Sequence, residues 1–109
     1  MTEFQSDLET IVENTSVAAN EITFHMRHFD RIENTGVESL CLDTRGLHGL
    51  KRHKIDLVGD VVDSWENLRT LNQVGETTVK RIKNAVLAMY YSTLDIDEKK
   101  EFWRDAFGR

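Results

Sequence analysis

Gly75, Thr77, Thr78, Lys80, Arg81 and Lys83 fall within the stretch "NQVGETTVKRIKNAV", residues 72–86. A glycine ahead of two threonines and a cationic run is a residue set that can hold a phosphate. If Gly75 joins two short helices, the first N–H groups of the second helix are left free, and they and the helix dipole attract a phosphate oxygen. Gly75 would permit a positive φ or an unobstructed backbone approach, and Thr77 or Thr78 could cap the helix or donate a hydroxyl. One glycine in a turn is also an ordinary helix connector. Its company raises it above that, because Arg45, Lys51, Arg52, Lys80 and Lys83 lie on two helices that such a hairpin could bring together.

Other chemistry is thinly represented. Glu21, His25 and His28 stand at i, i+4 and i+7 of a potential helix, a spacing that could set two imidazoles and a carboxylate around a metal. Nothing else in the sequence points to a fourth ligand, so a solvated polar face is the expectation and no metal is assigned. His48 and His53 are isolated near the basic residues. There is no Ser-His-Asp order, paired acid set or Walker-type Gly-Lys-Ser/Thr run, so no catalytic residue, cofactor or enzymatic activity is expected. Cys41 is the only cysteine, which excludes an internal disulfide and a cysteine zinc cluster. Between Leu40 and Leu42 it is expected to be a small buried residue.

These residues must be positioned by a chain of 109 residues that is 39% hydrophobic, enough for one modest core. There is no proline, and apolar residues recur mainly at three- and four-residue spacing, which predicts an all-α fold. The net charge of −5 is uneven. Residues 1–40 hold eight acids and two bases (2 − 8 = −6), residues 41–94 eight bases and six acids (+2), and the remainder comes to −1. A local basic patch decides where a polyanion docks, while the acidic total opposes tight binding. No apolar run has the roughly 18 residues of a membrane span. "MTEFQSDLET" is acidic where a signal peptide is basic and then apolar, so a cytoplasmic protein is expected.

Along the chain, Ser6 and Glu9 suggest a capping box for a first helix with Leu8, Ile11 and Val12 on one face. Ser16 is a candidate cap for a longer second helix carrying Ala18, Ala19, Ile22, Met26, Phe29 and Ile32, with Gly36 as its stop. These two helices form an acidic amphipathic arm. Asp43 is a candidate N-cap for a third helix that buries Leu47 and Leu50, in which Gly46 and Gly49 suggest close backbone packing. "LVGDVVDS" supplies one or two apolar turns, and Ser64 then caps "WENLRTL" with Leu68 and Leu71 inward. A helix from Thr77 through Val79, Ile82, Val86 and Met89 follows, and a last helix from about Asp95 would dock through Ile96, Phe102, Trp103 and Phe107.

The segment from about Val37 to Leu94 resembles the C-terminal domain of the bacterial RNA polymerase α subunit. The shared order is a leucine-rich lead-in, an arginine just inside a helix, "LKRHKI" before "LVGDVV", a Gly-centred hairpin and an "IKNAVL" helix. The resemblance implies a compact helix-hairpin-helix module of four to five short helices that contacts the DNA minor groove and transcription factors. It implies that Arg45 is the minor-groove arginine, Gly75 the hairpin glycine, and Thr78 the hydroxyl that meets a phosphate. There are departures. His48 and Gly49 replace an Asn-Cys pair, Glu76 and Thr77 stand where lysines are common, and Arg81 replaces an acid. Fewer cations and an added acid should weaken binding and flatten its salt dependence. With no polymerase assembly domain upstream, only the acidic arm, a free-standing relative is expected.

The expectation is thus a non-enzymatic protein with an acidic helical arm (1–36), a helix-hairpin-helix module (37–94) and a C-terminal docking helix (95–109). It would bind double-stranded DNA weakly in transcription control, through Arg45, His48, Gly49, Lys51, Arg52, Gly75, Thr77, Thr78, Lys80 and Arg81. The rival is a protein-interaction module without DNA binding, an adaptor or inhibitor acting on RNA polymerase, a regulator or another protein. Ile11, Val12, Ile22, Met26 and Phe29 are the candidate partner-binding face, directed to the module or to a second copy in a homodimer through the N-terminal helices. A membrane-lying role is not expected, because the arm's polar face is acidic.

Overall fold

The computed structural model describes residues 2–15, 22–70 and 75–107. They fold as an all-α structure with helices α1 (Glu3–Thr15), α2 (Thr44–Arg52), α3 (Val58–Asp63), α4 (Glu76–Ser92) and α5 (Ile96–Ala106). Short 3-10 helices occur at Phe29–Arg31, Val37–Leu40 and Trp65–Thr70. The centre is α4, whose Val79, Ile82, Val86, Leu87, Tyr90 and Tyr91 are all buried. One apolar core includes Phe4 of α1, Val37 and Leu40, Leu50 of α2, Val58 and Val61 of α3, Leu68, and Phe102 of α5.

Caps fix several helix starts. The Asp43 side chain accepts the Gly46 N–H at 2.8 Å, as expected for an N-cap. Asp95 and Glu98 close a reciprocal capping box at the start of α5. In α1 the cap lies one turn before the expected Ser6. Gln5 N–H donates to Thr2 Oγ1 at 3.2 Å and Thr2 N–H to Gln5 Oε1 at 3.3 Å, so Ser6 is already helical. The shift brings Phe4 into the helix and the core at 1% exposure.

The expected second helix does not continue through residues 22–32. Ser16, Ala18, Ala19 and Glu21 lie outside the described residues, but 22–26 is irregular and is followed by the short turn Phe29–Arg31. Exposure alternates instead: Ile22 is buried, Phe24 and Met26 are half-buried, and Thr23, His25 and Arg27 are exposed. Tertiary contacts hold the segment. Phe24 stacks on Phe102 with centroids 5.5 Å apart and meets Phe4 edge-on at 5.4 Å, while the Tyr90 hydroxyl oxygen accepts the His28 N–H at 3.0 Å. Arg27 is bidentate on Asp105 at 2.6 and 2.7 Å, and Arg31 bidentate on Glu98 at 2.9 and 2.7 Å. Gly36 starts the Val37–Leu40 turn with φ −66° and ψ 145°, and does not end a helix.

Residues 33–37 are tied to 56–59. Val37 N–H donates to Asp56 O, Val58 N–H to Thr35 O, and Gly59 N–H to Glu33 O at 2.9, 2.8 and 2.9 Å. A Cβ at Gly59 would stand 2.8 Å from Glu33 O, so only glycine fits this crossing.

The terminal helix docks through fewer residues than expected. Phe102 is 3% exposed and Trp103 packs partly buried against the core, but Ile96 is 73% exposed. Ile96 is the first residue of α5, two turns before Trp103, and lines the open groove between α1 and α5 instead of reaching the core.

Candidate nucleic-acid interface

The starts of α2 and α4 adjoin. Gly46, in the first turn of α2, is buried, and a Cβ there would stand 3.2 Å from its own cap Asp43 Oδ1 and 3.7 Å from Thr78 Cγ2 in the first turn of α4. The added Cβ would thus be in ordinary van der Waals contact with Thr78 and tight only against Asp43. Arg81 Nη1, one turn further along α4, donates to Asp43 Oδ2 at 3.1 Å and ties the two helices electrostatically. A cavity of about 290 Å³ follows the seam, with Leu42, Gly46, Thr78 and Ala85 among its lining residues.

Around this seam the candidate residues differ in availability. Arg45, in the first turn of α2, and Lys80 are exposed, and neither makes an ion pair among the described residues. His48, Arg52 and Thr77 are also exposed. Gly49 is buried, so it offers a ligand little surface. Thr78 is 8% exposed, with its methyl turned toward Gly46. Among the described residues its hydroxyl makes no hydrogen bond, yet no side-chain polar atom is buried without a partner, so that oxygen reaches the surface.

Gly75 is the N-cap of α4 at φ −75° and ψ 165°, an extended conformation open to any residue. Of the two alternatives expected for Gly75, a positive φ is not the one found. The other property expected of it is present, because a Cβ there would meet nothing within 4 Å and the approach to the helix start is open. Glu76 is exposed in that same first turn, where its charge favours the helix dipole and opposes a phosphate.

Lys51 is engaged elsewhere. Its Nζ donates to Glu38 Oε2 at 2.6 Å and to Asp56 Oδ1 at 3.2 Å. Hydrogen bonding to Glu38 and then Asp56 raises the ammonium above its ordinary value, and the same contact with Lys51 lowers Glu38. Lys83 lies over the Trp65 ring, 5.2 Å from its centroid. The basic patch expected from sequence is therefore partly neutralised by acids of the same chain. The partners are 13 and 5 residues from Lys51 and 38 from Arg81, with no signal in the sequence to pair them.

Cys41 is exposed, contrary to expectation. It ends the Val37–Leu40 turn in the left-handed region, φ 55° and ψ 39°, which turns its side chain outward.

Of the candidate partner-binding face, Ile22 is 8% exposed, and Met26 and Phe29 pack against the core. Ile11 and Val12 are half-buried on α1. Among the described residues no three His, Cys, Asp or Glu side chains cluster as metal ligands; His28 lies 3.5 Å from Glu98 and 3.7 Å from Glu101. No described helix is long and apolar enough to cross a membrane. Compared with known proteins, the chain matches no family model, no curated protein and no solved structure.

Proposed function

We propose that this chain is a non-enzymatic, cytoplasmic DNA-binding protein of transcription control that holds a duplex weakly through the adjoining starts of α2 and α4. The observation that carries the reading is that Gly46 and Thr78 are neighbours, so that the first turn of α2, with Arg45, adjoins the open Gly75–Thr78 helix start. Arg45 enters the minor groove, the first amides of α4 and the threonine hydroxyls take a phosphate, and Lys80 adds attraction. The transcription role rests on the resemblance of residues 37–94 to the C-terminal domain of the polymerase α subunit. Binding is weak because Glu76 stands at the phosphate site and Lys51 and Arg81 are held by Glu38, Asp56 and Asp43.

That same neutralisation favours a second reading, a protein-interaction module that acts on RNA polymerase or a regulator without touching DNA. A salt series of binding to an AT-rich duplex separates the two. For a DNA-binding protein, Arg45→Ala weakens retention roughly tenfold, most on narrow-groove sequences. Glu76→Lys tightens binding and steepens the salt slope by about one phosphate contact. Low-salt retention unchanged by both substitutions would reject the DNA reading.

A further inference from the structure

Helices α1 and α5 flank a groove of about 400 Å³ on whose floor lie Tyr91 and Trp103. Its two walls carry opposite charge. On α1 the groove is lined by Glu3 and Asp7, the latter accepting the Tyr91 hydroxyl at 2.6 Å, and the helix contains no cation. On α5 the acids Glu98 and Asp105 are taken by Arg31 and Arg27, and Glu101 also faces Arg27 and His28. That leaves Lys99, Lys100 and Arg104 on the other flank, with Asp97 in the first turn, where it complements the helix dipole. Lys99 bridges to Glu3 of α1 at 2.6 Å, whereas Lys100 and Arg104 make no ion pair among the described residues. Glu9 and Glu13, on the same helix but outside the groove's lining, make none either. Ile96, one turn before Lys100, is the most exposed large apolar side chain among the described residues. Half-buried Ile11 lines the opposite wall.

We propose that this face is the contact of a homodimer, in which α1 of each copy lies against α5 of the other about a two-fold axis. An acidic peptide would suit the α5 wall and be repelled by α1, and a basic one the reverse. A body that offers acid to the basic wall and base to the acidic wall together is this same surface turned by the two-fold, which makes the contact self-complementary. Ile96 and Ile11 supply the apolar centre. The contact uses the outward side of α1 and leaves Ile22, Met26 and Phe29 in the interior.

Sedimentation of the full chain from low to high micromolar concentration tests it. A concentration-dependent rise to twice the monomer mass is expected, weakened as salt screens the charged walls. Ile96→Glu and Lys100→Glu should each weaken association about tenfold or more. Both positions are exposed, so circular-dichroism melting at concentrations where the wild type is monomeric should be unchanged in these variants. Leu57→Glu, at the other exposed large apolar residue among the described ones, should leave association intact. A monomer at every concentration overturns the proposal, as does a dimer indifferent to both substitutions. A monomer that takes up polyglutamate or duplex DNA through Lys100 would assign the groove to an acidic partner or to nucleic acid, and would also overturn it.

Discussion

Replacing Phe4 by alanine should remove a large part of the stability of the whole chain, although the residue lies close to the amino terminus. Phe4 is 1% exposed. Its ring lies at centroid distances of 5.4 Å from Phe24, 5.7 Å from Tyr91, 5.9 Å from Trp103 and 6.2 Å from Phe102, so one side chain connects α1, residues 22–26, α4 and α5. Truncating a buried phenylalanine costs about 3–5 kcal/mol, and with four aromatic neighbours held by other contacts the site cannot easily collapse. A domain of this size has a total stability of about 5–15 kcal/mol. Phe4→Ala should therefore lower the urea midpoint by about 2 M, given a slope near 2 kcal/mol/M. Trp103 stacks on Phe4 at an interplanar angle of 3°, so its emission reports the change directly, and Trp65→Phe in the background removes the second indole. A loss under about 1 kcal/mol would refute the reasoning and mean that α1 rests loosely on the core. The outcome bears on function, since a version trimmed of its acidic arm for DNA assays would report on an unfolded module.

Three further outcomes are expected. Acid should destabilise the fold between about pH 5 and pH 2, because Arg31 and then the Asp95 N–H hold Glu98 down to about 2, and Arg27 and Lys51 lower Asp105 and Glu38. Folded-state values below the unfolded ones stabilise above the ordinary carboxylate range, and that contribution is lost as pH falls through the folded values. Glu98→Gln should flatten this part of the melting-temperature profile, and an unchanged profile would count against the Arg31 pairing. Gly59→Ala, which would press a Cβ to 2.8 Å from Glu33 O, should cost about 1–3 kcal/mol in urea unfolding. Gly75→Ser, with open space and an ordinary φ, should fold normally and stabilise α4 by a few tenths of a kcal/mol; marked destabilisation would show that glycine is required there.

Several local features were legible in the sequence because they depend on neighbours within one turn, although the cap of α1 at Thr2 was not. Asp43 ahead of Thr44–Arg52 and Asp95 with Glu98 act over three residues, and the apolar spacing of Val79, Ile82 and Val86 belongs to α4 alone. Residues 22–32 carried two compatible patterns: Ile22, Met26 and Phe29 suit a helix, while Ile22, Phe24 and Met26 suit an alternating segment. Contacts to Phe4, Tyr90 and α5, up to 78 residues away, decided for alternation. The candidate interface divides the same way. Which residue types could meet DNA was written in Arg45, Gly75 and Thr78. Which cations remain available depended on Glu38 and Asp56 reaching Lys51 and on Asp43 reaching Arg81. A charge is neutralised by whatever lies within a few ångströms of it, and only the folded chain brings those acids into range.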